Sequence, residues 1–228
     1  MITMSNPRYA IYFAPSPESV LWKTGSAWLG RDAYTGEHLP NLTARAESIV
    51  SDPAHYGFHA TFKPPFHVAA EKSEDELLTH CQRFSVAQSG FYIPGIQVAK
   101  LGNFVALRPT KNIDQLGQLA AVCVKEFDKF RAAPSENELA NRRQIGLTPR
   151  QAEYLLQWGY PYVMEEFRFH MTLTGTLNTE LQDHMLSVLK ELFFDIVDQP
   201  VAVDAITLFI QPDRETPFSV LERFSFSN

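Results

Sequence analysis

Two short segments of the sequence contain the same pair of polar residues at the same spacing. His59 and Thr61 alternate with apolar residues in the first segment, and His170 and Thr172 do so in the second. In an extended chain, the His and Thr of each segment point to one face while the apolar residues point to the other. Two imidazoles and two hydroxyls in one cleft supply a base, an acid and two hydrogen-bond donors, which are sufficient for phosphodiester chemistry without a metal.

The bare pattern is weak evidence when it is taken alone. A His two residues before a Ser or Thr is expected about once by chance in a chain of this composition, and a single His on a strand is more often structural. Both copies here are flanked by apolar residues, have the alternation of strands, and lie in opposite halves of a chain of domain size. This context favours a duplicated half-site.

Composition limits the classes of function. The 228 residues are 45% hydrophobic, which is enough for one large domain or two closely packed lobes. The net charge of −6 and the pI near 5.6 argue against binding of an extended nucleic acid, because long phosphate backbones are normally bound by a concentrated basic surface. A small phosphorylated substrate, held by a local basic pocket, remains compatible with this charge.

The location of the protein is predicted from the same composition. No apolar run approaches the roughly 18 residues that suggest a membrane span, and the N-terminal residues do not have the pattern of a secretion signal. Cys81 and Cys123 lie among apolar residues of predicted helices, so we expect two buried free thiols and no disulfide. These features predict a cytoplasmic protein without membrane contact.

The predicted elements follow a similar order in the two halves. The Asp52-Pro53 pair is expected to break the chain before the first His strand, which ends at Pro64-Pro65, and the second His strand spans about 166–176. The other predicted strands are 8–13, 91–101, 104–108, 201–210 and 218–226, and the predicted helices are 18–29, 43–51, 72–87, 113–130, part of 136–158, and 180–194.

The order His strand, helix, strand, strand therefore occurs twice, in approximate repeat halves 55–131 and 160–228. We predict a single bilobal α+β domain spanning residues 1–228, with interleaved lobes. It should contain two pseudo-symmetric antiparallel sheets with helices on their outer faces, and a central cleft should carry both His-x-Thr motifs.

At the motif residues the chain resembles the two-histidine (2H) phosphoesterase superfamily. The longer phrases around the motifs, residues 56–66 and 158–175, are similar to a bacterial branch described as phosphonate-metabolism proteins. The resemblance implies the bilobal α+β fold of that superfamily and metal-independent hydrolysis or transesterification of a cyclic or linear phosphodiester. It covers most of the chain, and the four motif positions do not depart from the pattern.

This resemblance implies that His59 and His170 are catalytic and that Thr61 and Thr172 bind the phosphate. One neutral imidazole would accept a proton from the attacking water, and the other, protonated, would donate one to the leaving oxygen. The sequence does not assign the two roles. Because an ordinary His pKa is near 6.5, we expect that neither histidine needs an extreme shift.

The alternation of side chains between the two faces of a strand suggests further substrate-binding residues. Lys63 shares the predicted face of His59, and Arg168 and Thr174 share that of His170. Any single Lys or Arg is more often a solvated surface residue than a phosphate ligand. The weaker candidates are Tyr9, Arg108, Arg142 and Arg143.

Several alternatives stay open at this point. His55 and His59 have the spacing of a helical zinc site, but Gly57 and the strand-like alternation argue against it, and we expect neither a metal nor another cofactor. The chain contains no Gly-rich phosphate loop. The preferred substrate is a small cyclic or sugar-linked phosphodiester, and the alternatives are an RNA 2′,3′-cyclic phosphodiesterase, a 2′-5′ RNA-ligase-like enzyme, and a non-catalytic protein that binds a phosphate ligand.

Overall fold

The structure, a computed structural model, describes residues 6–40, 47–133 and 146–227. In these residues nine strands form antiparallel sheets that pack with helices, which confirms the predicted α+β class. The strands are β1 (Arg8–Phe13), β2 (Ala60–His67), β3 (Phe91–Ile93), β4 (Ile96–Leu101), β5 (Phe104–Pro109), β6 (Met171–Thr172), β7 (Val201–Val203), β8 (Ala205–Gln211) and β9 (Ser219–Ser225).

The described helices fall between these strands and mostly follow the predicted order. They are α1 (Val20–Leu29), α2 (Ser51–Tyr56), α3 (Glu74–Val86), α4 (Asp114–Glu126), α5 (Pro149–Trp158), α6 (Thr179–Leu192) and α7 (Phe194–Val197). Short 3-10 turns occupy Glu47–Ile49, Asp128–Phe130 and Met164–Glu166. Part of the predicted helix 43–51 and residues 136–145 of the segment 136–158 lie outside the described residues.

The two motif strands are exchanged between the halves of the chain. Strand β2 carries part of the first motif and lies in a four-stranded sheet of order β2-β1-β8-β9, whose β8 and β9 come from the second half. Strand β6 carries part of the second motif and pairs with the β4-β5 hairpin of the first half. Each half therefore supplies one edge strand to a sheet that contains a hairpin of the other half.

The helices follow the same exchange. Helix α3 packs on β8 and β9, whereas α6 packs on β4 and β5. The two sheets are linked where β3 pairs with β7 in antiparallel register, Phe91 opposite Val203 and Ile93 opposite Val201. The repeat that the sequence predicts thus corresponds to two similarly connected sheets, each covered by the helix that follows its own motif strand.

Local sequence signals explain where the main helices begin. Ser73 and Glu76 form a capping box at α3, and Thr148 and Gln151 form another at α5, where Pro149 is the first helical residue. Each box satisfies two backbone N–H groups that have no partner within the helix. Helix α3 consequently starts within about two residues of the predicted position.

Three predicted boundaries are wrong for identifiable reasons. Strand β2 continues through Pro64-Pro65 to His67, because it is an edge strand and a missing N–H can face away from the ladder. Asp52-Pro53 does not break the chain but lies in the first turn of α2, where proline is tolerated. The second His strand is reduced to Met171–Thr172, since the Thr174 hydroxyl accepts a hydrogen bond from Val105 N (3.0 Å) and replaces a ladder carbonyl.

One large hydrophobic core lies between the sheets and helices. Phe58, next to the first catalytic candidate, is buried so closely against α1 that a Cβ on Gly25 would lie 2.5 Å from its ring. Cys81 and Cys123 are free and buried, as predicted, and burial raises the pKa of both thiols. None of the helices in the described part of the chain has the length and apolar character that crossing a membrane requires.

Candidate active site

The first motif lies where helix α2 turns into strand β2. Gly57 follows the last helical residue with φ of 81°, in the left-handed region that favours glycine, and a Cβ there would lie 2.7 Å from the Cβ of Ala33. Phe58 is buried in the core, which fixes the next residue at the start of the strand. The turn therefore holds His59 between the end of the helix and the ladder of β2.

The hydrogen bonds of His59 define its neutral form. Nδ1 lies 2.9 Å from the carbonyl oxygen of Gly57. Because a carbonyl only accepts, Nδ1 carries the hydrogen, and this tautomer follows from the network. Nε2 then carries the lone pair, and it accepts a hydrogen bond from Thr61 Oγ1 at 3.2 Å. His59 can accept a proton at Nε2.

Aromatic side chains surround His59. Its ring stacks on Tyr12 of β1 with centroids 3.8 Å apart and planes 21° apart, and the Tyr12 ring lies 4.9 Å from Phe209. Burial lowers the pKa of His59 to about 4, and the charge of His170 adds to this effect, while the hydrogen bond to Gly57 opposes it. The imidazole is therefore neutral at pH 7 in the free protein, and the expectation of an ordinary His pKa is wrong for this residue.

His170 has the same local arrangement as His59. Its Nδ1 lies 2.6 Å from the carbonyl oxygen of Arg168, again two residues earlier, so Nδ1 donates and Nε2 is the second titrating nitrogen. Burial lowers the pKa of His170, the hydrogen bond to Arg168 opposes this, and the positive charge of Arg108 lowers it further. The Phe104 ring lies 5.7 Å from the His170 ring.

The four motif residues line two neighbouring cavities. His59 and Thr172 contribute to a cavity of about 250 Å³, and Thr61 and His170 contribute to one of about 480 Å³. Phe104 lines both cavities. Each cavity thus combines the histidine of one motif with the threonine of the other, and the charge of His170 acts on His59. The exchanged strands bring the two motifs to one site.

Lys63 is placed differently from the prediction. Tyr12 pairs with Thr61 but Ile11 pairs with Lys63, so β2 contains one extra residue and the strand parity breaks there. The Lys63 ammonium donates to Val124 O (3.1 Å) and to Asp128 Oδ1 (3.2 Å). Burial lowers its pKa to about 8, while Asp128 opposes this effect. Its donors are thus directed to α4 and to the residues that follow it.

Thr174 is also occupied by structural hydrogen bonds. Its Oγ1 accepts from Val105 N and donates to Gly175 O at 2.9 Å, and the residue is fully buried. Although Thr174 borders the smaller cavity, its hydroxyl hydrogen is already used. The threonine therefore ends strand β6 and shapes the wall of the cavity.

The two arginines near His170 lie at different depths. Arg168 is exposed, and its Nη1 donates to Glu165 O (2.8 Å) and Phe167 O (2.9 Å) at the edge of the larger cavity. Arg108 is half-buried on β5, opposite Gln97 of β4, and lines a third cavity of about 810 Å³. Arg108 is close enough for its charge to lower the pKa of His170.

The remaining candidates lie away from the motifs or outside the described residues. The Tyr9 hydroxyl donates to Glu74 Oε2 at 2.6 Å, and burial raises the pKa of Tyr9. Tyr9 therefore fixes the start of α3 to β1 instead of lining either motif cavity. Arg142 and Arg143 lie outside the residues that the structure describes.

Sequence reasoning missed Tyr12 and Phe104, the two aromatic residues at the histidines. Both lie in correctly predicted strands, but their importance depends on which strands pair. Tyr12 faces Thr61 only because β1 pairs with β2. Phe104 follows the hairpin turn at Gly102–Asn103 and reaches the site because β5 pairs with β6. Alternation within a single strand contains no signal for such contacts.

The chemistry of the side chains gives no indication of a metal site. His55 lies in α2 and its Nε2 is 2.7 Å from Gln211 Nε2, so His55 accepts a hydrogen bond there. The segments 6–40, 47–133 and 146–227 contain no group of three or more His, Cys, Asp or Glu residues arranged to hold a metal ion. The paired histidines instead offer ring nitrogens that can accept and donate protons.

Comparisons with known proteins agree with a common family. The DUF1045 family model, described as a protein of unknown function, matches residues 61–219. Two similar proteins carry the name ribose 1,5-bisphosphate phosphokinase PhnN. The one from Janthinobacterium sp. (strain Marseille) is 37% identical over 98% of this chain, and the one from Laribacter hongkongensis (strain HLHK9) is 35% identical over 92%. The chain spans about half of the length of these relatives, 51% and 50%.

Two solved structures can be aligned with nearly the whole chain. E. coli LigT in its apo form has a TM-score of 0.47 and 16% identity, with 98% of this chain and 100% of that chain covered. A structure described as a phosphoesterase has a TM-score of 0.45 and 14% identity, with 97% of this chain and 99% of that chain covered.

The match to the DUF1045 family model includes both motif threonines and the second motif histidine. It confirms the family-level resemblance expected from the sequence. The chain belongs to the DUF1045 family.

Proposed function

We propose that this protein is a metal-independent phosphodiesterase that acts on a small cyclic or sugar-linked phosphodiester. The observation that carries the proposal is the matched pair of histidines. Each directs Nδ1 to the carbonyl of the residue two positions earlier and leaves Nε2 for proton transfer. Two imidazoles of the same tautomer at adjoining cavities supply both proton transfers that ester hydrolysis requires.

The pKa values suggest how the roles divide. His59, with a pKa of about 4, is neutral over the physiological range and is the better placed proton acceptor. In the proposed reaction His59 Nε2 takes a proton from water as the water oxygen bonds to phosphorus. His170, protonated at Nε2, gives its proton to the ester oxygen as the P–O bond breaks. The anionic phosphate raises the pKa of His170 in the complex and so favours its protonated form.

The threonines complete the proposed site. Thr61 and Thr172 each line a cavity together with the histidine of the other motif. In the proposed complex the Thr61 hydroxyl turns from His59 Nε2 to the phosphate, and both hydroxyls donate to the non-bridging phosphate oxygens. A phosphate between the cavities would have one histidine on each side. This arrangement suits in-line displacement, in which the attacking and leaving oxygens lie on opposite sides of phosphorus.

The named relatives suggest a sugar phosphate as the substrate. They are called ribose 1,5-bisphosphate phosphokinases, but this chain corresponds to about half of their length and has no Gly-rich phosphate loop. Hydrolysis of one bond of a ribose 1,2-cyclic phosphate leaves a phosphate on C1, the kind of product such a kinase would consume. We therefore place the phosphodiesterase one reaction before the named kinase step, within the phosphonate metabolism that the motif phrases suggested.

A turnover screen tests this proposal. Purified protein is incubated with nucleoside 2′,3′-cyclic phosphates, ribose 1,2-cyclic phosphates and an oligonucleotide ending in a cyclic phosphate, and the products are identified by phosphorus NMR. We expect hydrolysis of a small ester, an unchanged rate after EDTA treatment, and a shallow dependence on salt. Turnover confined to the oligonucleotide with a steep salt slope would support the RNA alternative. Binding without turnover of any ester would support a non-catalytic ligand-binding protein.

A further inference from the structure

A third cavity adjoins the candidate active site beyond His170. Its volume is about 810 Å³, and it shares Met164, Phe167 and Arg168 with the cavity that His170 lines. Of these three cavities, His59 lines the smallest, which shares Phe104 with the cavity that His170 lines. The order of the cavities thus places His170 between the proposed reaction centre and this third space. A group bound there is not the phosphate that reacts.

Arg108 lies in the wall of the third cavity. Strand register pairs Ala106 with Thr172 and Leu107 with Met171, so one further step places Arg108 beside His170. Gln97 lies opposite Arg108 on β4 and lines the same cavity. The Arg108 Nε is buried and has no hydrogen-bond partner. A buried guanidinium nitrogen without a partner is costly, and an anionic ligand would satisfy it.

The charge around this cavity is favourable for an anion. Three cationic side chains line it, Arg108, Lys111 and Arg168, against the carboxylates of Asp114 and Glu165. The carboxylates already have partners: Asn112 Nδ2 donates to Asp114 Oδ1 at 2.7 Å, and Arg150 forms a salt bridge with Glu165 at 2.7 Å. Tyr154 also donates to Glu165. The three cationic side chains are thus the groups at this cavity that can bind an anionic ligand.

We infer that Arg108, supported by Gln97 and the neighbouring cations, binds a second phosphate group of the substrate that does not react. This inference rests on the proposed function and narrows it to a phosphodiester that also carries a phosphate monoester. A doubly charged monoester accepts charge-assisted hydrogen bonds from the planar guanidinium, which match its geometry better than an ammonium would. Arg108 is then the residue that determines specificity for phosphorylated over unphosphorylated sugars.

The test compares two substrates in the wild type and in two variants. Ribose 1,2-cyclic phosphate is assayed with and without a 5-phosphate in the wild type, in Arg108→Gln and in Arg83→Gln. The last variant removes the same charge from the exposed end of α3. We expect kcat/KM to favour the 5-phosphorylated substrate by about 10- to 100-fold in the wild type, the range for a charged hydrogen bond. Arg108→Gln should remove that preference by lowering kcat/KM much more for the 5-phosphorylated substrate than for the other one, whereas Arg83→Gln should keep it.

Arg108→Lys should restore part of the preference because it keeps the charge. An equal loss on both substrates in Arg108→Gln would overturn the inference, because Arg108 would then act on the reacting phosphate or on His170. The absence of a preference in the wild type would overturn it as well.

A binding measurement separates this inference from the proposed reaction. Calorimetric affinities of ribose 1,5-bisphosphate and ribose 1-phosphate do not depend on turnover. Preference for the bisphosphate that disappears in Arg108→Gln, without hydrolysis of any ester, would sustain the second phosphate site and contradict the phosphodiesterase. Equal affinities for the two compounds, together with turnover, would contradict the second site and leave the phosphodiesterase intact.

Discussion

The Tyr12 ring covers the His59 imidazole, with ring centroids 3.8 Å apart and planes at 21°. Tyr12 is buried in the central part of the four-stranded sheet, and burial is the largest cause of the low His59 pKa of about 4. This contact connects the fold to the proposed chemistry. Strand β1 pairs with β2 on one side and with β8 on the other, so the residue that stacks on the histidine is fixed from both sides.

The first prediction concerns this stacking contact. Tyr12→Leu removes the ring, admits water to His59, and should raise its pKa from about 4 toward the ordinary value of 6.5. Tyr12→Phe keeps the ring and is the matched control, so its His59 pKa should stay near that of the wild type. The pKa is read from the NMR titration of the His59 ring protons. The same pKa in all three proteins would show that Tyr12 does not shield His59.

The second prediction is the pH dependence of stability. The folded protein holds His59 neutral down to about pH 4, whereas the unfolded chain protonates it near pH 6.5, so between these values the unfolded state binds more protons. The contribution of neutral His59 to the free energy of unfolding is fully present above pH 6.5 and is lost as the pH falls to about 4. This contribution is at most about 3 kcal/mol. Urea unfolding at several pH values should show that the free energy of unfolding decreases less on acidification in His59→Gln than in the wild type. Identical pH slopes in both proteins would contradict this account.

The third prediction is the pH dependence of activity. Turnover should require neutral His59 and protonated His170, and burial lowers the pKa of both in the free protein. The plot of kcat/KM against pH should therefore be bell-shaped, with its maximum between about 4 and 6.5 rather than near neutrality. The profile of kcat should lie at higher pH because the bound anion stabilises the imidazolium. A kcat/KM maximum above pH 7 would be incompatible with this assignment.

The fourth prediction separates Lys63 from the phosphate site. Lys63 donates to Val124 O and Asp128, so Lys63→Met removes a buried ion pair but leaves Asp128 paired with Arg131 at 2.7 Å. We expect a loss of about 1–3 kcal/mol in unfolding free energy and an unchanged KM. Lys100→Met, which removes an exposed ion pair to Asp183, is the control and should cost less. A KM increase of more than roughly tenfold in Lys63→Met would restore Lys63 as a phosphate ligand.

The sequence predicted the elements of this fold better than their arrangement. Periodicity and caps located α3 and α5, and the paired motifs located both histidines, because these signals are local. The exchange of β2 and β6 between the two sheets depends on long-range pairing, which no local pattern specifies. For the same reason, alternation along the strand placed Lys63 on the wrong face. An extra residue in β2 changes the face to which Lys63 points.

The histidine pKa values could not be read from the sequence either. The shift of His59 comes from burial under a residue that lies 47 positions earlier in the chain, and the shift of His170 comes from its surroundings and from Arg108 on a neighbouring strand. The type of each residue indicated which groups can transfer a proton. Their packing determines at which pH they do so.

The leaving-group dependence of the two histidine variants tests the central claim most directly. An alkyl ester needs a proton on its leaving oxygen, whereas a 4-nitrophenyl ester does not, so loss of a general acid is tolerated only for the second substrate. The account predicts that His59→Ala lowers turnover of both esters by roughly 10²-fold or more, while His170→Ala does so for the alkyl ester but costs less than about tenfold for the nitrophenyl ester. Thr61→Ala and Thr172→Ala should cost less than His59→Ala on both esters, with all variants folded by circular dichroism. Equal losses on both esters in His170→Ala, or near wild-type turnover in either histidine variant, would contradict the two-histidine mechanism.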